Sequence, residues 1–250
     1  MYAKNKFLLK KGSITLGVLL GLALAGGAYN GSRYLWGKNI SLFVKGIARD
    51  GLTVGALSPC STFVAKACTK YIAAHEGPKN ILEVGAGCGA VTREIFKHVQ
   101  DKDSLDIVEI NEEYVLALNQ QFGYKKEVDI YCQDVTTWKT DKRYDYIVST
   151  VPFTNIPLEV IKKIIKKYKK LIKPGGIISY VELGGIAKVR EIALRVNKKL
   201  GLFDDCKKAL KVFKAKRELM SSLREEYLFD SEHITANLPP IWVYHLKIDK

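Results

Sequence analysis

The chain has 250 residues, 47% of them apolar, and its 40 basic and 26 acidic side chains give a formal charge of +14. This composition excludes a disordered or collagen-like chain and predicts one globular domain with a short appendage. The five cysteines show no CxxC spacing and no neighbouring histidine pair. They therefore indicate neither a disulfide framework nor a zinc site, and we expect a reducing compartment and no metal.

The charge is unevenly distributed along the chain. Residues 1–49 contain eight basic and no acidic side chains, whereas residues 50–161 contain 11 basic and 16 acidic ones, and the remainder is again basic. A slightly acidic centre between two basic arms predicts a small-molecule site in the middle and a polyanionic partner outside. A phospholipid surface and RNA both meet that description.

The N-terminal arm contains an apolar segment. Residues 14–29 are uncharged and follow a cluster of four lysines. A helix of that length covers about 24 Å, less than the roughly 30 Å of a bilayer core. It could be a tilted membrane anchor, a helix lying in the interface or packed on the domain, or a cleaved signal peptide. Residues 38–49 then place apolar side chains at helical spacing among lysines and arginines, which predicts a basic amphipathic helix.

From residue 80 onwards, strands and helices alternate. Short apolar runs predict strands at 81–85, 105–110, 128–133, 144–150 and 177–183. Helices are predicted at 90–99, after a cap at Asn111, and from Pro157 to Lys173. Repeated βα units predict an α/β fold, in which helices cover both faces of a parallel sheet and the ligand site lies at the carboxyl ends of the strands.

A glycine-rich turn follows the first predicted strand. Residues 83–89 read Glu-Val-Gly-Ala-Gly-Cys-Gly, where Gly85 and Gly87 permit a tight turn and let a ligand approach the backbone. These glycines alone also satisfy a dinucleotide-binding pattern. Glu83 places a carboxylate where a cationic ligand is favoured. Glu109 ends the second strand, in position to bind a ribose diol.

Asp134 follows the third strand, and Leu-Ile-Lys-Pro-Gly-Gly (171–176) precedes the fifth. With the glycine turn, this order resembles the class I S-adenosylmethionine-dependent methyltransferases. The resemblance implies a Rossmann-like fold with a seven-stranded, mostly parallel sheet and S-adenosylmethionine as cofactor. It places Glu83 near the methionine amino end, Gly85, Gly87 and Gly89 under the cofactor, Glu109 on the ribose hydroxyls and Asp134 on the adenine amine.

The segment after the fourth strand bears on the methyl acceptor. Residues 149–157 read Ser-Thr-Val-Pro-Phe-Thr-Asn-Ile-Pro and resemble the N-P-P-Y region of adenine N6-methyltransferases. Thr150 stands where those enzymes carry an asparagine, next to Val151 and Pro152. Since threonine has no planar amide, this substitution weakens an RNA adenine interpretation without abolishing it.

Two further stretches resemble the bacterial phospholipid N-methyltransferases, which methylate phosphatidylethanolamine. They are Val-Gly-Ala-Leu-Ser-Pro-Cys-Ser (54–61), which contains Ser58, and Asn-Leu-Pro-Pro-Ile-Trp-Val-Tyr (237–244). The resemblance implies a lipid substrate, an anionic phospholipid surface as partner and a location at the cytoplasmic face of a membrane. Candidate substrate residues are Ser58, Thr150, Pro152 and Tyr180, the last chosen with Tyr34, Trp242 and Tyr244 as an aromatic face for a methylated cation.

These observations predict two regions. Residues 1–37 form a membrane-associating segment, and residues 38–250 form a methyltransferase domain with a helical insertion at about 186–228. Lysines in the ranges 162–173 and 188–217 are available for docking to phosphates of a lipid surface or RNA. An RNA adenine or protein amine methyltransferase, and a catalytically silent membrane scaffold, stay open as alternatives. No residue stands out as a catalytic base.

Overall fold

The structure, a computed structural model, describes residues 60–184, 206–237 and 240–249. The apolar segment 14–29, the amphipathic stretch 38–49, Ser58 and the first part of the expected insertion, 185–205, lie outside the described residues. The helices are α1 (Thr62–Ala73), α2 (Ala90–Ile95, continued by a 3₁₀ turn at Phe96–His98), α3 (Glu112–Phe122), α4 (Leu158–Leu171) and α5 (Cys206–Tyr227). The strands are β1 (Asn80–Val84), β2 (Ser104–Glu109), β3 (Val128–Cys132), β4 (Tyr144–Ser149), β5 (Ile172–Leu183), β6 (Leu228–Ile234) and β7 (Ile241–Ile248).

The seven strands form one sheet in the order β3-β2-β1-β4-β5-β7-β6. Strands β1 to β5 pair in parallel, while β7 runs antiparallel to both β5 and β6. This confirms the predicted seven-stranded, mostly parallel sheet. The carboxyl ends of β1 to β5 therefore meet at one edge of the sheet, which is where the sequence places its glycine turn and acidic residues.

Helices cover both faces of the sheet. One core joins α1, α2 and α3 to the face that carries Ile81 and Ile107. The other joins α4 and α5 to the face that carries Leu82 and Ile178. Neighbouring residues of β1 thus serve opposite cores, because successive side chains of a strand point to opposite faces.

Helix α4 is amphipathic as the sequence predicts. It buries Ile161, Ile164, Tyr168 and Leu171 against the sheet. Its exposed lysines are Lys162, Lys163, Lys166, Lys169 and Lys170. The helix ends at Leu171 rather than Lys173, because Pro174 lacks an amide hydrogen and disfavours helical geometry in the residue before it.

Helix α1 is tied to the C-terminal part of the chain at its first turn. The Ser61 hydroxyl caps the helix by accepting from the Val64 amide at 3.3 Å. The Ser61 amide donates to Asn237 Oδ1 at 2.9 Å across a separation of 176 residues. The ends of the two stretches that carry the phospholipid methyltransferase resemblance therefore meet in the fold, and Cys60 next to them reaches the cavity described below. Within the described part of the chain, no helix is long and apolar enough to cross a bilayer.

Candidate active site

A cavity of about 430 Å³ opens at the carboxyl ends of the parallel strands. Its wall comes from the turns that follow β1, β2, β3 and β4, and from the end of β5. The lining contains three carboxylates, Glu109, Asp134 and Glu182, and among its described residues neither lysine nor arginine. In a protein of charge +14, this is a local reversal of sign that favours a cationic ligand.

The glycine turn forms one side of the cavity. Gly85 and Gly87 line it with φ of +75° and +54°, a left-handed conformation that side chains other than glycine rarely adopt. A Cβ at Gly85 would lie 3.2 Å from Val151 Cγ2, so the turn packs tightly against the β4–α4 loop. A Cβ at Gly87 would meet no atom within 4 Å and would stand in space open to a ligand.

Gly89 has a different position from the one that the resemblance implies. It caps α2 with φ of +77° and is not part of the cavity wall. A Cβ there would lie 3.0 Å from Phe122 Cε2 and 3.1 Å from Leu118 Cδ2. The structure thus gives Gly89 a packing role between α2 and α3, and leaves the cavity to the other two glycines.

Glu109 lies in the cavity wall at the end of β2. Its Oε2 accepts from the Gly87 amide at 2.9 Å and its Oε1 from the Asn111 amide at 2.9 Å. Burial raises the pKa of the carboxyl group, against the lowering effect of these backbone amides. The residue therefore connects the glycine turn to β2 and presents a fixed carboxylate to the cavity.

Asp134 lies two residues beyond β3, in the cavity wall and exposed. Its Oδ1 accepts from the Thr136 amide at 2.8 Å, which holds the turn, while no hydrogen bond from the described residues reaches its second carboxylate oxygen. Glu109 and Asp134 are thereby brought to neighbouring positions along one half of the sheet edge.

Glu83 is the sequence-predicted site residue with the most unusual surroundings. Its side chain is fully buried on the α1 face of β1, between Ile107 and Val148 of the adjacent strands, and does not line the cavity. Neither carboxylate oxygen has a hydrogen bond of good geometry among the described residues, although Thr92 lies nearby. Burial raises the pKa of Glu83 to about 8. The sheet therefore holds an unpartnered carboxyl group directly below the glycine turn.

Thr150 and Pro152 both lie in the cavity wall. The Thr150 hydroxyl donates to the Gly85 carbonyl at 2.5 Å, and its amide donates to the Val84 carbonyl at 3.1 Å. These bonds join the end of β4 to the glycine turn. The single hydroxyl hydrogen of Thr150 is engaged there, so the residue does not present a donor to the cavity.

Tyr180 does not reach the cavity. It is 2% exposed on β5, with its ring centroid 5.3 Å from that of Tyr244 and 5.8 Å from that of Phe153, and its hydroxyl accepts from Arg224 at 3.2 Å. Neither Tyr244 nor Trp242 lines the cavity. Tyr180 is therefore part of the core with Tyr244 packed against it, half-buried Trp242 stacks on Tyr244, and Tyr34 lies outside the described residues.

The sequence interpretation missed Glu182 at the end of β5. The signal that identified Glu109, an acidic residue closing a predicted strand, is also present in Tyr-Val-Glu-Leu (180–183). Val181, Leu183 and Ile241 line the cavity next to Glu182, and the β4–α4 loop and α4 add Val151, Phe153, Thr154, Ile156, Val160 and Ile164.

One group of possible metal ligands occurs among the described residues, away from the cavity wall. Ligand atoms of Asp230, Glu232 and His245 lie within 4.8 Å of one another. Lys70 Nζ lies 2.8 Å from Asp230 Oδ2 and 3.2 Å from Glu232 Oε1. The lysine ammonium thus already supplies the positive charge that this group of acids requires.

Comparison with known proteins identifies the central part of the chain. Residues 81–176 match the family described as a methyltransferase domain. These residues, less than half of the chain, therefore carry a methyltransferase domain with a Rossmann-like fold. The cofactor of this methyltransferase is S-adenosylmethionine.

Three similar proteins illustrate the range of acceptors in this class. The ornithine lipid N-methyltransferase of Singulisphaera acidiphila is 21% identical over 150 residues, which cover 58% of this chain and 78% of that protein. The tRNA1(Val) (adenine(37)-N6)-methyltransferase of Cronobacter sakazakii is 26% identical over 112 residues, covering 43% of this chain and 40% of that protein. The crystal structure of N-methyltransferase NodS from Bradyrhizobium japonicum, in complex with S-adenosyl-L-homocysteine, superposes with a TM-score of 0.52 at 12% identity and covers 92% of this chain and 99% of that one.

The residues of the cavity fit S-adenosylmethionine. The open space beside Gly87 would be filled by a Cβ, and Glu109 and Asp134, in a wall without lysine or arginine among the described residues, suit a ligand with a ribose diol and positive charges. Gly85, Gly87, Glu109 and Asp134 would hold it, with Glu83 below them. When bound, the cofactor supplies a methyl group on a positively charged sulfur.

Proposed function

We propose that this methyltransferase transfers methyl groups to the primary amine of a membrane lipid, with phosphatidylethanolamine as substrate. The observation that carries the proposal is the composition of the cavity wall, in which three carboxylates and many apolar side chains occur without lysine or arginine among the described residues. A lipid amine combines a cationic amine with apolar chains, so both kinds of wall residue have a matching part of the ligand.

The carboxylates of the cavity wall suit the protonation chemistry of the acceptor amine. Ethanolamine nitrogen is mostly protonated at neutral pH, and only its uncharged form can attack a methyl carbon. The nitrogen–carbon bond then forms as the sulfur–carbon bond breaks, and the proton released earlier goes to water or to a carboxylate. Alignment is the main contribution of the protein, because this displacement needs little covalent help.

Two observations favour a lipid over an RNA acceptor. Thr150 occupies the position at which adenine methyltransferases carry asparagine, and its hydroxyl is engaged by the Gly85 carbonyl. The similarity to a protein named as an ornithine lipid N-methyltransferase supports a lipid amine as the acceptor class.

We further propose that the protein acts at the cytoplasmic face of a membrane and docks on anionic phospholipid. Lys163, Lys166 and Lys170 of α4 are exposed and have no acidic partner among the residues that the structure describes. Each basic residue close to an anionic leaflet contributes about 1 kcal/mol to binding, so a few suffice to hold a domain at the surface.

The proposal is tested with the purified full chain and S-adenosylmethionine labelled in its methyl group. Parallel reactions contain phosphatidylethanolamine and phosphatidylglycerol vesicles, the same vesicles with ornithine lipid in place of phosphatidylethanolamine, RNA, and a lysine-rich peptide. We expect label in phosphatidylethanolamine, and chromatography of the lipid extract then counts the methyl groups. Label in ornithine lipid alone would mean that ornithine lipid, and not phosphatidylethanolamine, is the substrate. Label in RNA or peptide alone would reject a lipid acceptor.

A Glu109→Ala variant serves as the matched negative control. Its loss of the fixed carboxylate should weaken binding of S-adenosylhomocysteine, measured by calorimetry, and remove labelling of every acceptor. Activity retained in this variant would show that the label does not arise at the cavity described here.

A further inference from the structure

Glu182 differs from the other two carboxylates of the cavity in its place on the sheet. Glu109 ends β2 and Asp134 follows β3, whereas Glu182 lies near the end of β5. Strands β1 and β4 stand between β2 and β5, a distance of three strand spacings or about 14 Å. Glu182 therefore faces the half of the cavity away from the residues that would hold the ribose and adenine.

The Glu182 carboxylate is held in place from behind. Arg224 of α5 donates to its Oε2 at 2.8 Å and to the Tyr180 hydroxyl at 3.2 Å. The guanidinium lies over the Tyr244 ring, 4.8 Å from its centroid. Arg224 is not part of the cavity wall, so it orients the carboxylate without itself facing the ligand.

One oxygen of Glu182 remains for a ligand. Among the described residues, no hydrogen bond reaches its Oε1, and the side chain is 26% exposed. A carboxylate accepts several hydrogen bonds, so one bond to Arg224 leaves capacity for a second donor. The nearby wall is apolar, with Val181, Leu183, Ile241 and Phe153. A charge-assisted bond in such surroundings is stronger than the same bond in water.

We infer that Glu182 binds the ammonium group of the methyl acceptor through Oε1, and that Arg224 positions it. Glu182 thereby selects a primary amine carried on an apolar molecule over a neutral amphiphile. This inference rests on the proposed function and identifies the residue that recognises the acceptor.

Binding of simple amphiphiles tests the inference separately from activity. Dodecylammonium and dodecanol are titrated below their aggregation limits into the full chain saturated with S-adenosylhomocysteine. In Glu182→Gln we expect dodecylammonium to bind about tenfold more weakly, which corresponds to about 1.4 kcal/mol, and dodecanol to bind as in the wild type. An equal loss for both ligands, or no loss for either, would overturn the inference.

Activity supplies the second measurement. On phosphatidylethanolamine vesicles, Glu182→Gln should raise KM for the lipid by about tenfold with unchanged affinity for S-adenosylhomocysteine. As a single substitution, Arg224→Met should lower kcat/KM. In a double variant with Glu182→Gln it should cause no further loss, because Arg224 acts through the Glu182 carboxylate. The control is Glu226→Gln on the same helix, whose Oε2 lies 3.8 Å from Lys169 at the surface.

The two proposals fail in different ways. A wild-type protein that labels no amine lipid contradicts the proposed function. A wild-type protein that labels the lipid, with Glu182→Gln equally active at every lipid concentration, contradicts only the role of Glu182. A Glu182→Gln variant that has lost its fold is recognised by reduced binding of S-adenosylhomocysteine. The conservative variant Glu182→Asp keeps the negative charge and should retain part of the affinity for dodecylammonium that Glu182→Gln loses.

Discussion

At the scale of single residues, Glu83 combines complete burial with two carboxylate oxygens that lack hydrogen bonds among the described residues. Its folded-state pKa of about 8 lies above the ordinary value of 4.5, so the folded protein retains a proton that the unfolded chain releases. The stabilisation that the folded protein gains from this retained proton is fully present below pH 4.5 and is lost as the pH rises through about 8.

We predict that Glu83→Gln removes this pH dependence. Urea unfolding of the cofactor-free protein near pH 5 and near pH 9 should show a loss of a few kcal/mol in the wild type at the higher pH, since each pKa unit corresponds to about 1.4 kcal/mol. The variant should lose less, and should also bind S-adenosylhomocysteine more weakly. Glu76→Gln, at an exposed position between α1 and β1, is the control. Parallel pH profiles for wild type and Glu83→Gln would contradict this account.

The glycine turn gives a second prediction at this scale. Alanine at Gly87 and at Gly89 has the same backbone strain, about 1–2 kcal/mol for a left-handed residue. Gly89→Ala adds contact with Leu118 and Phe122 and should lower the midpoint of urea unfolding further. Gly87→Ala should instead lower the affinity for S-adenosylhomocysteine, because its methyl group occupies open space in the cavity wall. The reverse ranking in both measurements would show that the two glycines are misassigned.

Residues of the site were predictable where the signal is local. Gly85, Gly87, Glu109 and Asp134 lie at or just after the ends of predicted strands, and parallel strands end at the same edge of the sheet. Tyr180 was chosen by residue type alone, and its orientation depends on the pleat of β5 and on α5, which covers it. The close approach of Gly89 to Phe122 likewise follows from how α2 packs on α3, and the glycine-rich sequence of residues 83–89 does not predict it.

At the scale of secondary-structure elements, one long-range hydrogen bond ties the first turn of α1 to the C-terminal part of the chain. Asn237→Ala leaves the buried Ser61 amide without its acceptor, and an unsatisfied buried donor costs about 1–3 kcal/mol. We expect a lower free energy of unfolding and faster hydrogen exchange in residues 62–73. Asn237→Asp keeps an acceptor oxygen and should lose less. Unchanged exchange in α1 would show that its packing against the sheet suffices to hold it.

The elements differ in how well the sequence indicates them. The buried strands β1, β2 and β4 and the amphipathic helix α4 have strong periodic signals, and the structure confirms them within a few residues. Strand β6 was missed, since it lies at the sheet edge and its residues (228–234) are exposed or half-buried, with polar side chains at its centre. Strand β5 begins at Ile172, before the Pro-Gly-Gly that was expected to precede it.

At the scale of the whole molecule, the acidic cavity contrasts with a basic exterior. We predict that charge reversal at Lys163, Lys166 and Lys170 of α4 weakens binding to phosphatidylglycerol vesicles by at least about tenfold, measured by co-sedimentation. Affinity for S-adenosylhomocysteine should not change. Higher ionic strength should reduce vesicle binding by the wild type, because exposed charges are screened.

The matched control changes the same net charge at another surface. Lys66 on α1, Lys102 and Lys126 are exposed, and α1 packs on the opposite face of the sheet from α4. Reversal of these three should leave vesicle binding largely intact. An equal loss in both triple variants would mean that binding follows net charge alone and that α4 is not the docking surface.

The sequence by itself determined the alternation of strands and helices, the glycine turn and the acidic residues at the strand ends, because these depend on propensities and periodicities within a few residues of each other. The tertiary structure decided which of these groups face the cavity. Glu83 lies below its floor, and Glu182 becomes part of its wall with an orientation set by Arg224, 42 residues later in the chain. Ser61 is joined to Asn237 across 176 residues. Contacts of this kind follow from strand order and the packing of helices on the sheet, which depend on the whole chain rather than on any short stretch.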